Sequence, residues 1–329
     1  MAQTLDSYTD FISQYLMPRM KADHPKLSFL VHDHNPDALQ PWASETYADP
    51  ARREWAWGAA VHWYSQESYR GIALNKTHNA DPDKPILHTE GCACRDLPYP
   101  TFSHGSGVSW WSVGENYGVG LVQYIQNWAV GFTDWNMVSS VPHLPLLPSD
   151  SVAESHCPLT AAIAQILDEK GGPSHDRGFG CNAPFMSCPA ANASCAPDGL
   201  VYQAPFYFMA HFSKYLPPGS VVVGAMTYGG PHGTSSNTIP PLGKFYYPPG
   251  AEGAPGSNTL GVVSAVQPNG TTVLIVLNTA NTTMDYVLRD PRIGIGSKGE
   301  AHMSIPGYSI QTLRWNPAAE QRSAATRLL

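Results

Sequence analysis

Charged side chains are scarce in this sequence: Asp, Glu, Lys and Arg make up only 14% of its 329 residues, whereas about a quarter is usual. The net charge is -7 and no basic cluster occurs, so the Lys/Arg stripe that nucleic-acid binding needs is absent. No apolar run approaches the roughly 20 residues that span a bilayer, and we predict no transmembrane helix. The first residues have neither a basic start nor an apolar block, which predicts no signal peptide.

Glycine (29) and proline (30) are abundant and predict long surface loops. Six cysteines are present, and three of them, Cys181, Cys188 and Cys195, are evenly spaced in a loop-like stretch. They could form disulfides, bind zinc or stay as free thiols. Four N-glycosylation sequons, weak indicators of a secretory route, begin at Asn75, Asn192, Asn269 and Asn281.

The order of hydrophobic patterns predicts a parallel α/β region followed by an all-β region. An amphipathic helix over 5–16 is expected to end near Pro18. The predicted strands of the first region are 27–31, 58–63, 84–90 and 130–136. Helices near 50–55 and 117–128 and a polar loop before the third strand separate them. A helix is predicted at 202–215, and later strands at 221–223, 260–266, 272–277 and 308–313, with a hairpin turn at Asn269-Gly270.

These patterns place a domain boundary near residue 217. Residues 1–217 form the first predicted domain, residues 218–316 form an all-β domain, and residues 317–329 are a polar tail. Within the first domain, the proline-rich stretch of about 138–165 has no expected role in an α/β fold and is predicted to form neither helix nor strand. We interpret it as an insert, either a retained intron or a loop peculiar to this lineage.

Three predicted strands end in a mixture of aromatic and polar residues, which suits a sugar. The first group would stack on the apolar face of a pyranose and comprises Trp63, Tyr64, Trp135 and the pair Trp110-Trp111. The second would bond its hydroxyls and comprises His62, Asp134 and Asn136. Glu90 ends the strand before Gly91, where a barrel enzyme holds a nucleophile or general base. Each such residue taken alone is more often a structural one.

Four segments resemble the glucosylceramidase family of retaining glycoside hydrolases, glycoside hydrolase family 30. They are Gly58-Ala-Ala-Val-His-Trp-Tyr64, Leu87-His-Thr-Glu-Gly-Cys92, Gly131-Phe-Thr-Asp-Trp-Asn136 and Ala210-His-Phe-Ser-Lys-Tyr215. The similarity runs in order from about Leu5 to Trp315. It implies the second half of a (β/α)8 TIM barrel followed by an all-β sandwich.

The resemblance also implies roles for particular residues. Glu90 would be the catalytic nucleophile. His62 and Tyr64 would hydrogen-bond the two catalytic carboxylates, and Asp134 and Trp135 would line a glucose pocket with Cys92 nearby. No metal and no organic cofactor is implied.

The family acts on glucosylceramide or other β-glucosides at a lysosomal or extracellular membrane surface, usually with an activator protein. Resemblance therefore implies a lysosomal or secreted protein in peripheral contact with lipid.

One departure from the family concerns the second carboxylate. The family's acid/base glutamate lies in an Asn-Glu-Pro motif after the fourth barrel strand, and this sequence contains no Asn-Glu-Pro. We expect Met1 to align just beyond that strand, and the chain alone to be poorly stable and inactive. Glu67, Glu115 and Glu169 are predicted to be solvated loop charges rather than substitutes.

Three alternatives stay open. His32-Asp33-His34, together with His62, His88 and Asp134, would suit a metallohydrolase of the amidohydrolase type. A non-catalytic carbohydrate-binding protein agrees with the absent acid. A β-1,6-glucanase of the same family would share much of the pattern.

Overall fold

The computed structural model describes residues 5–64, 67–91, 110–135, 137–140, 185–187, 200–202, 204–224, 260–290, 292 and 300–317. The chain separates into two compact units. The first comprises Met1–Gly91 and Gln123–Asp134, and the second comprises Cys92–Val122 and Trp135–Leu329. The boundaries predicted near 217 and 316 remain predictions.

The first unit contains a four-stranded parallel sheet in sequence order. Its strands are β1 (Phe29–His34), β2 (Ala56–His62), β3 (Ile86–Glu90) and β4 (Ala129–Phe132). Each lies within a few residues of its prediction. The middle of β2 is buried on both faces, as parallel strands covered by helices are.

The opening helix continues past Pro18, and the expectation that it ends there is wrong. The chain runs through α1 (Leu5–Phe11), a π-helical turn (Ile12–Leu16) and α2 (Met17–Asp23). Pro18 lies in the first turn of α2. Proline is accommodated there because the hydrogen-bond ladder is already irregular: the preceding turn is π-helical, and the Met17 N–H donates to the Ile12 carbonyl five residues back.

Helices α3 (Leu39–Ala48) and α4 (Pro50–Trp55) lie between β1 and β2, and α5 (Glu67–Ala80) lies between β2 and β3. The helix predicted near 50–55 is confirmed as α4, whose first turn is capped by the Asp49 side chain. The polar loop predicted after β2 is instead α5. Ala73 and Leu74 are buried in it, a short apolar face that the polar composition concealed.

The helix predicted at 117–128 is α6 (Trp110–Gln126), and the one at 202–215 is α7 (Ala204–Ser213). Within the second unit these two helices pack closely. A Cβ added at Gly114 would lie 2.5 Å from a Phe208 ring atom and 2.8 Å from Ala204 Cβ, and one at Gly118 would lie 2.8 Å from Phe208. The glycines at this i, i+4 spacing therefore permit the close approach.

The second unit contains a four-stranded antiparallel sheet in the order β13-β10-β9-β8. Its strands are β8 (Val221–Val223), β9 (Gly261–Val266), β10 (Thr272–Asn278) and β13 (Ser309–Trp315). The hairpin predicted at Asn269-Gly270 is confirmed. Gly270 has φ +82, and the Asn269 side chain accepts a hydrogen bond from the Thr271 N–H at 3.0 Å.

Strands β11 (Met284–Arg289) and β12 (Glu300–Ile305) pair antiparallel and were not predicted. Their exposed and partly buried residues reduce the apolar contrast on which the prediction depends. Another unpredicted strand, β5 (Val138–Ser140), lies at the start of the proposed insert. It pairs with β6 (Phe185–Ser187), which pairs with β7 (Leu200–Tyr202).

The core of the antiparallel sheet lies on β9 and β10. One cluster joins Leu260, Val262, Leu274, Val276 and Ile305. Every residue of β10 is buried, because this central strand is covered on both faces. Among the described helices, none is long and apolar enough to cross a membrane.

Candidate active site

The carboxyl ends of β1, β2 and β3 bring four polar side chains together, which we call the polar edge: Asp33, His62, Thr89 and Glu90. Parallel neighbours end at the same edge of a sheet, and the register pairs His62 directly with Glu90. The strand-end residues proposed from the sequence therefore do meet on two adjacent strands. Their position matches the face where barrel enzymes hold catalytic groups.

Glu90 is partly accessible, with 32% of its side chain exposed. His62, only 16% exposed, points its Nδ1 at Glu90 Oε1 from 3.7 Å. This separation is too long for a hydrogen bond but allows charge attraction when the imidazole is protonated. A carboxylate that is reachable from solvent and faces an imidazole can attack an electrophilic carbon.

Asp33 approaches His62 from the other side. Its Oδ1 lies 3.2 Å from His62 Nε2, so the imidazole lies between two carboxylates. The same oxygen accepts a hydrogen bond from the Thr89 hydroxyl at 2.6 Å. Asp33 and Thr89 were not predicted as site residues, since Asp33 entered only the metal alternative. The run of polar residues that follows a buried strand at 32–35 is the signal that points to Asp33.

The backbone that presents Asp33 is unusual. His32 and Asp33 have φ +79 and +60, although neither is glycine. The pairing of β1 with β2 shifts register between His32 and His34, as at a β-bulge, which redirects side chains beside functional sites. Left-handed backbone of this kind costs on the order of 1–3 kcal/mol per residue and persists where the surrounding structure holds it.

Tyr124, Asn35 and Tyr64 contact the polar edge or the backbone beside it. The Tyr124 hydroxyl donates to the His62 carbonyl at 2.6 Å. The Tyr64 N–H donates to Asn35 Oδ1 at 3.2 Å, and the Tyr64 ring lies perpendicular to the His62 ring, with centroids 5.9 Å apart. Tyr64 thus lies beside His62, and the hydrogen bond expected from Tyr64 to a catalytic carboxylate stays a prediction.

Trp63 does not line a sugar site, and that prediction is wrong. It is only 2% exposed and packs edge-on against His88 and Phe132. A Cβ added at Gly91 would lie 2.7 Å from the Trp63 ring and 2.8 Å from the His88 ring. The glycine after Glu90 is therefore required for close packing, and no left-handed φ is recorded there.

The remaining predicted site residues are placed only in part. Asp134 follows β4 in the first unit and is half-buried, while Trp135, also half-buried, belongs to the second unit. Cys92, Asn136 and all the other cysteines lie outside the described residues. The side chains of Trp110 and Trp111 also lie outside that part.

Glu115 is not a solvated loop charge, and that prediction is wrong. It lies in α6 with no exposed surface. Burial raises its pKa from 4.5 to about 8, so the neutral acid is favoured at neutral pH. The sequence did not reveal this burial, because a single acidic residue in a helix gives no indication of whether its side chain faces the core or the solvent. Glu67 begins α5, and Glu169 lies outside the described residues.

The histidine cluster proposed for a metal is used differently. His32 Nε2 lies 2.9 Å from the Asn35 carbonyl, and burial lowers the pKa of His32. His88 is fully buried and stacks on Phe132 at 3.9 Å. Within the described ranges, no group of three or more His, Cys, Asp or Glu side chains is arranged to hold a metal ion.

Known proteins and protein families match this chain over most of its length. Residues 1–164 match the glycosyl hydrolase family 30 TIM-barrel domain, and residues 251–313 match the family's β-sandwich domain. The chain is 24% identical to the lysosomal acid glucosylceramidase of Mus musculus over 95% of its length, and 28% identical to a putative glucosylceramidase 3 of Caenorhabditis elegans over 68%. It spans 47% and 35% of those two relatives.

Among solved structures, SrfJ from Salmonella typhimurium superposes with a TM-score of 0.64 at 23% identity, over 95% of this chain and 53% of that one. An endo-β1,6-glucanase superposes with a TM-score of 0.60 at 18% identity, over 95% and 54%. These likenesses confirm the fold class, part of a TIM barrel followed by a β-sandwich. With two successive domain models of one family matched in order, the chain belongs to glycosyl hydrolase family 30, a family of glycosidases.

Proposed function

We propose that the polar edge is the nucleophile side of a retaining β-glucosidase site, with Glu90 as the nucleophile. One observation carries the proposal. The partly accessible carboxylate of Glu90, the last residue of β3, faces the largely buried imidazole of His62 on the neighbouring strand β2, with 3.7 Å between Glu90 Oε1 and His62 Nδ1. The ionised carboxylate is the form that attacks.

The proposed reaction has two steps. Glu90 attacks the anomeric carbon, the bond to the glycosidic oxygen breaks, and that oxygen leaves with a proton from a general acid. Water then attacks the same carbon and releases glucose and the free carboxylate, after giving its proton to the conjugate base of that acid. In such enzymes the two carboxyl groups lie about 5–5.5 Å apart.

The general acid is not assigned to any residue of this sequence, which has no Asn-Glu-Pro. We therefore propose that the chain alone has no turnover. Loss of a general acid usually costs about two to four orders of magnitude in rate. Its lack supports a second candidate function, non-catalytic binding of a carbohydrate at the same edge.

The proposed substrate is glucosylceramide, with glucose and ceramide as products. Its support is that the relatives matched over most of this chain are named glucosylceramidases. Asp134 and Trp135 are proposed to contact the glucose ring, with Cys92 nearby and Tyr64 supporting the catalytic carboxylates. Other β-glucosides, including a β-1,6-glucan, are the competing substrates.

A ceramide glucoside lies in a lipid bilayer, so the proposed enzyme works in peripheral contact with a membrane and with an activator protein. We propose a lysosomal or secreted location, since one relative is named for the lysosome. The sequons at Asn269 and Asn281 agree with that route, because both asparagines are exposed. In contrast, the Asn75 carboxamide accepts the Trp128 indole N–H at 3.1 Å.

The test is covalent labelling of the full-length natural protein with a mechanism-based cyclitol epoxide, followed by peptide mass spectrometry. We expect the label on Glu90 and none on Glu90→Gln. A label on a different residue would overturn the assignment. Hydrolysis of glucosylceramide in vesicles, compared with a β-1,6-glucan, decides the substrate. Sugar binding by the wild type without label or turnover would support the binding protein instead.

A further inference from the structure

Two groups of the polar edge have no role in the proposed reaction, the Thr89 hydroxyl and the Asp33 carboxylate, and of these Asp33 contacts His62. It does not face Glu90 directly, because His62 lies between them. Its placement requires two consecutive left-handed residues and a break in the strand register. A surface aspartate without function would not need this backbone, since strain of this kind concentrates at functional sites.

The hydrogen-bond chemistry gives Asp33 a definite effect on His62. An ionised carboxylate only accepts hydrogen bonds, so the proton of the Asp33–His62 bond belongs to Nε2. The bond made by one ring nitrogen decides what the other nitrogen offers. With Nε2–H bound to Asp33, Nδ1 is the nitrogen that faces Glu90 at 3.7 Å.

We propose that Asp33 is a positioning residue for the Glu90 nucleophile: it holds His62 by Nε2 and directs Nδ1 at the Glu90 carboxylate. This inference rests on the proposed function, because it deepens the account of the same site. Thr89 completes the arrangement by donating its hydroxyl to Asp33 Oδ1 at 2.6 Å. The carboxylate is therefore fixed on two sides before it meets the imidazole.

Several side chains surround His62, and their positions determine which effects a substitution of Asp33 can have. His34 on β1 stacks near the imidazole with centroids 6.1 Å apart, and the Tyr64 ring lies edge-on at 5.9 Å. Asp33, His34, Glu90 and Tyr64 are the titratable groups seen to face it among the described residues, and His32 interacts with it electrostatically. Since 62% of the Asp33 side chain is exposed, its pairing with His62 contributes little to stability. A functional effect can thus be separated from unfolding.

The experiment uses the full-length natural protein and four variants: Asp33→Asn, Asp33→Ala, Thr89→Val and the control Asp23→Asn. Asp23 pairs with Arg19 at the end of α2, away from the polar edge. Inactivation by the cyclitol epoxide is measured across pH as separate values of the rate constant kinact and the constant KI. Thermal unfolding of each variant is recorded beside it.

We expect Asp33→Asn to lower kinact by roughly 10- to 100-fold, as when an orienting carboxylate is removed from a working imidazole, with KI and the unfolding midpoint unchanged. The pH dependence of kinact should also change, since this variant carries no charge at residue 33 beside His62. Thr89→Val should show a smaller loss in the same direction, and Asp23→Asn none. Wild-type kinact and pH profile in Asp33→Asn would overturn the proposal.

A second measurement separates this inference from the proposed function. Imidazole nitrogen NMR of His62 reports which ring nitrogen carries the proton, whether or not Glu90 is a nucleophile. We expect the Nε2 signal to change in Asp33→Asn and Asp33→Ala but not in Asp23→Asn. An unchanged Nε2 signal would refute the Asp33–His62 contact. Labelling of the wild type somewhere other than Glu90 would refute the proposed function, and the positioning role with it.

Discussion

The polar edge of β1–β3 and the buried strand β10 differ in what holds them. In β10 all seven residues are buried, and each contributes by removing apolar surface from water. At the polar edge, Asp33 is 62% exposed and held by two hydrogen bonds on strained backbone. Substitutions in β10 should therefore change stability, whereas substitutions at the polar edge should mainly change chemistry.

The largest expected effect tests the stability side of that comparison. Ile275→Ala removes a fully buried side chain from β10 and should lower the free energy of unfolding by about 2–5 kcal/mol, because a cavity forms. Denaturant unfolding followed by circular dichroism measures it. Glu90→Gln is the comparison variant, with an expected change below about 0.5 kcal/mol. Equal losses in the two variants would contradict the contrast.

Gly91→Ala should damage both stability and site. The new methyl group would lie 2.7–2.9 Å from ring atoms of Trp63 and His88, and overpacking of this kind costs about 1–3 kcal/mol. The matched control is Gly224→Ala, because no atom of the described residues lies within 4 Å of a Cβ added there and its φ is not left-handed. Thermal unfolding compares them, and a Gly91→Ala midpoint equal to that of the control would refute the close packing.

The buried Glu115 carboxyl should make the stability of the protein depend on pH, which the exposed Asp33 carboxylate of the polar edge should do much less. Burial raises its pKa from 4.5 to about 8, so its contribution to stability is complete below pH 4.5 and is lost as pH rises through about 8. Glu115→Gln should remove that dependence and stabilise the protein at pH 8 relative to wild type, on the order of 1–3 kcal/mol. Urea unfolding at pH 4.5, 6 and 8 measures this. An identical pH dependence in the two proteins would contradict it.

The smallest expected effect isolates backbone strain at the polar edge. Asp33→Gly and Asp33→Ala both remove the carboxylate, but only glycine accepts φ +60 without steric cost. The glycine variant should be more stable than the alanine variant by about 1–2 kcal/mol. Paired urea titrations measure the difference, and equal stability would show that the left-handed backbone relaxes in solution.

Much of the fold was predictable because it depends on local patterns. Apolar runs marked β2, β3, β9 and β10, and the Asn269-Gly270 turn marked the hairpin between the last two. The patterns failed where burial and local polarity disagree. Helix α5 looked like a polar loop. Burial alternates along β11, but the exposed Val287 interrupts the apolar–polar alternation of its sequence, and burial does not alternate along β12.

The sequence predicted which residues end the strands at the candidate site. It did not predict which of those side chains contact one another. Glu90 and His62 were proposed from the residues at the ends of two strands, and the register brings them together. Trp63 carried the same local signal and is buried instead. The distinction depends on which side of the strand end each residue faces, and a register shift lies between Val61 and His62.

The amino-acid sequence by itself determined the family, the parallel-then-antiparallel order of strands and the carboxylate proposed to react. These depend on which side chains follow which along the chain. Only the tertiary structure decided that Asp33 and Thr89 join Glu90 and His62, that Trp63 belongs to the core and that Glu115 is buried. Each of those outcomes depends on contacts between residues distant in sequence, whose positions the strand register and the bulge in β1 determine.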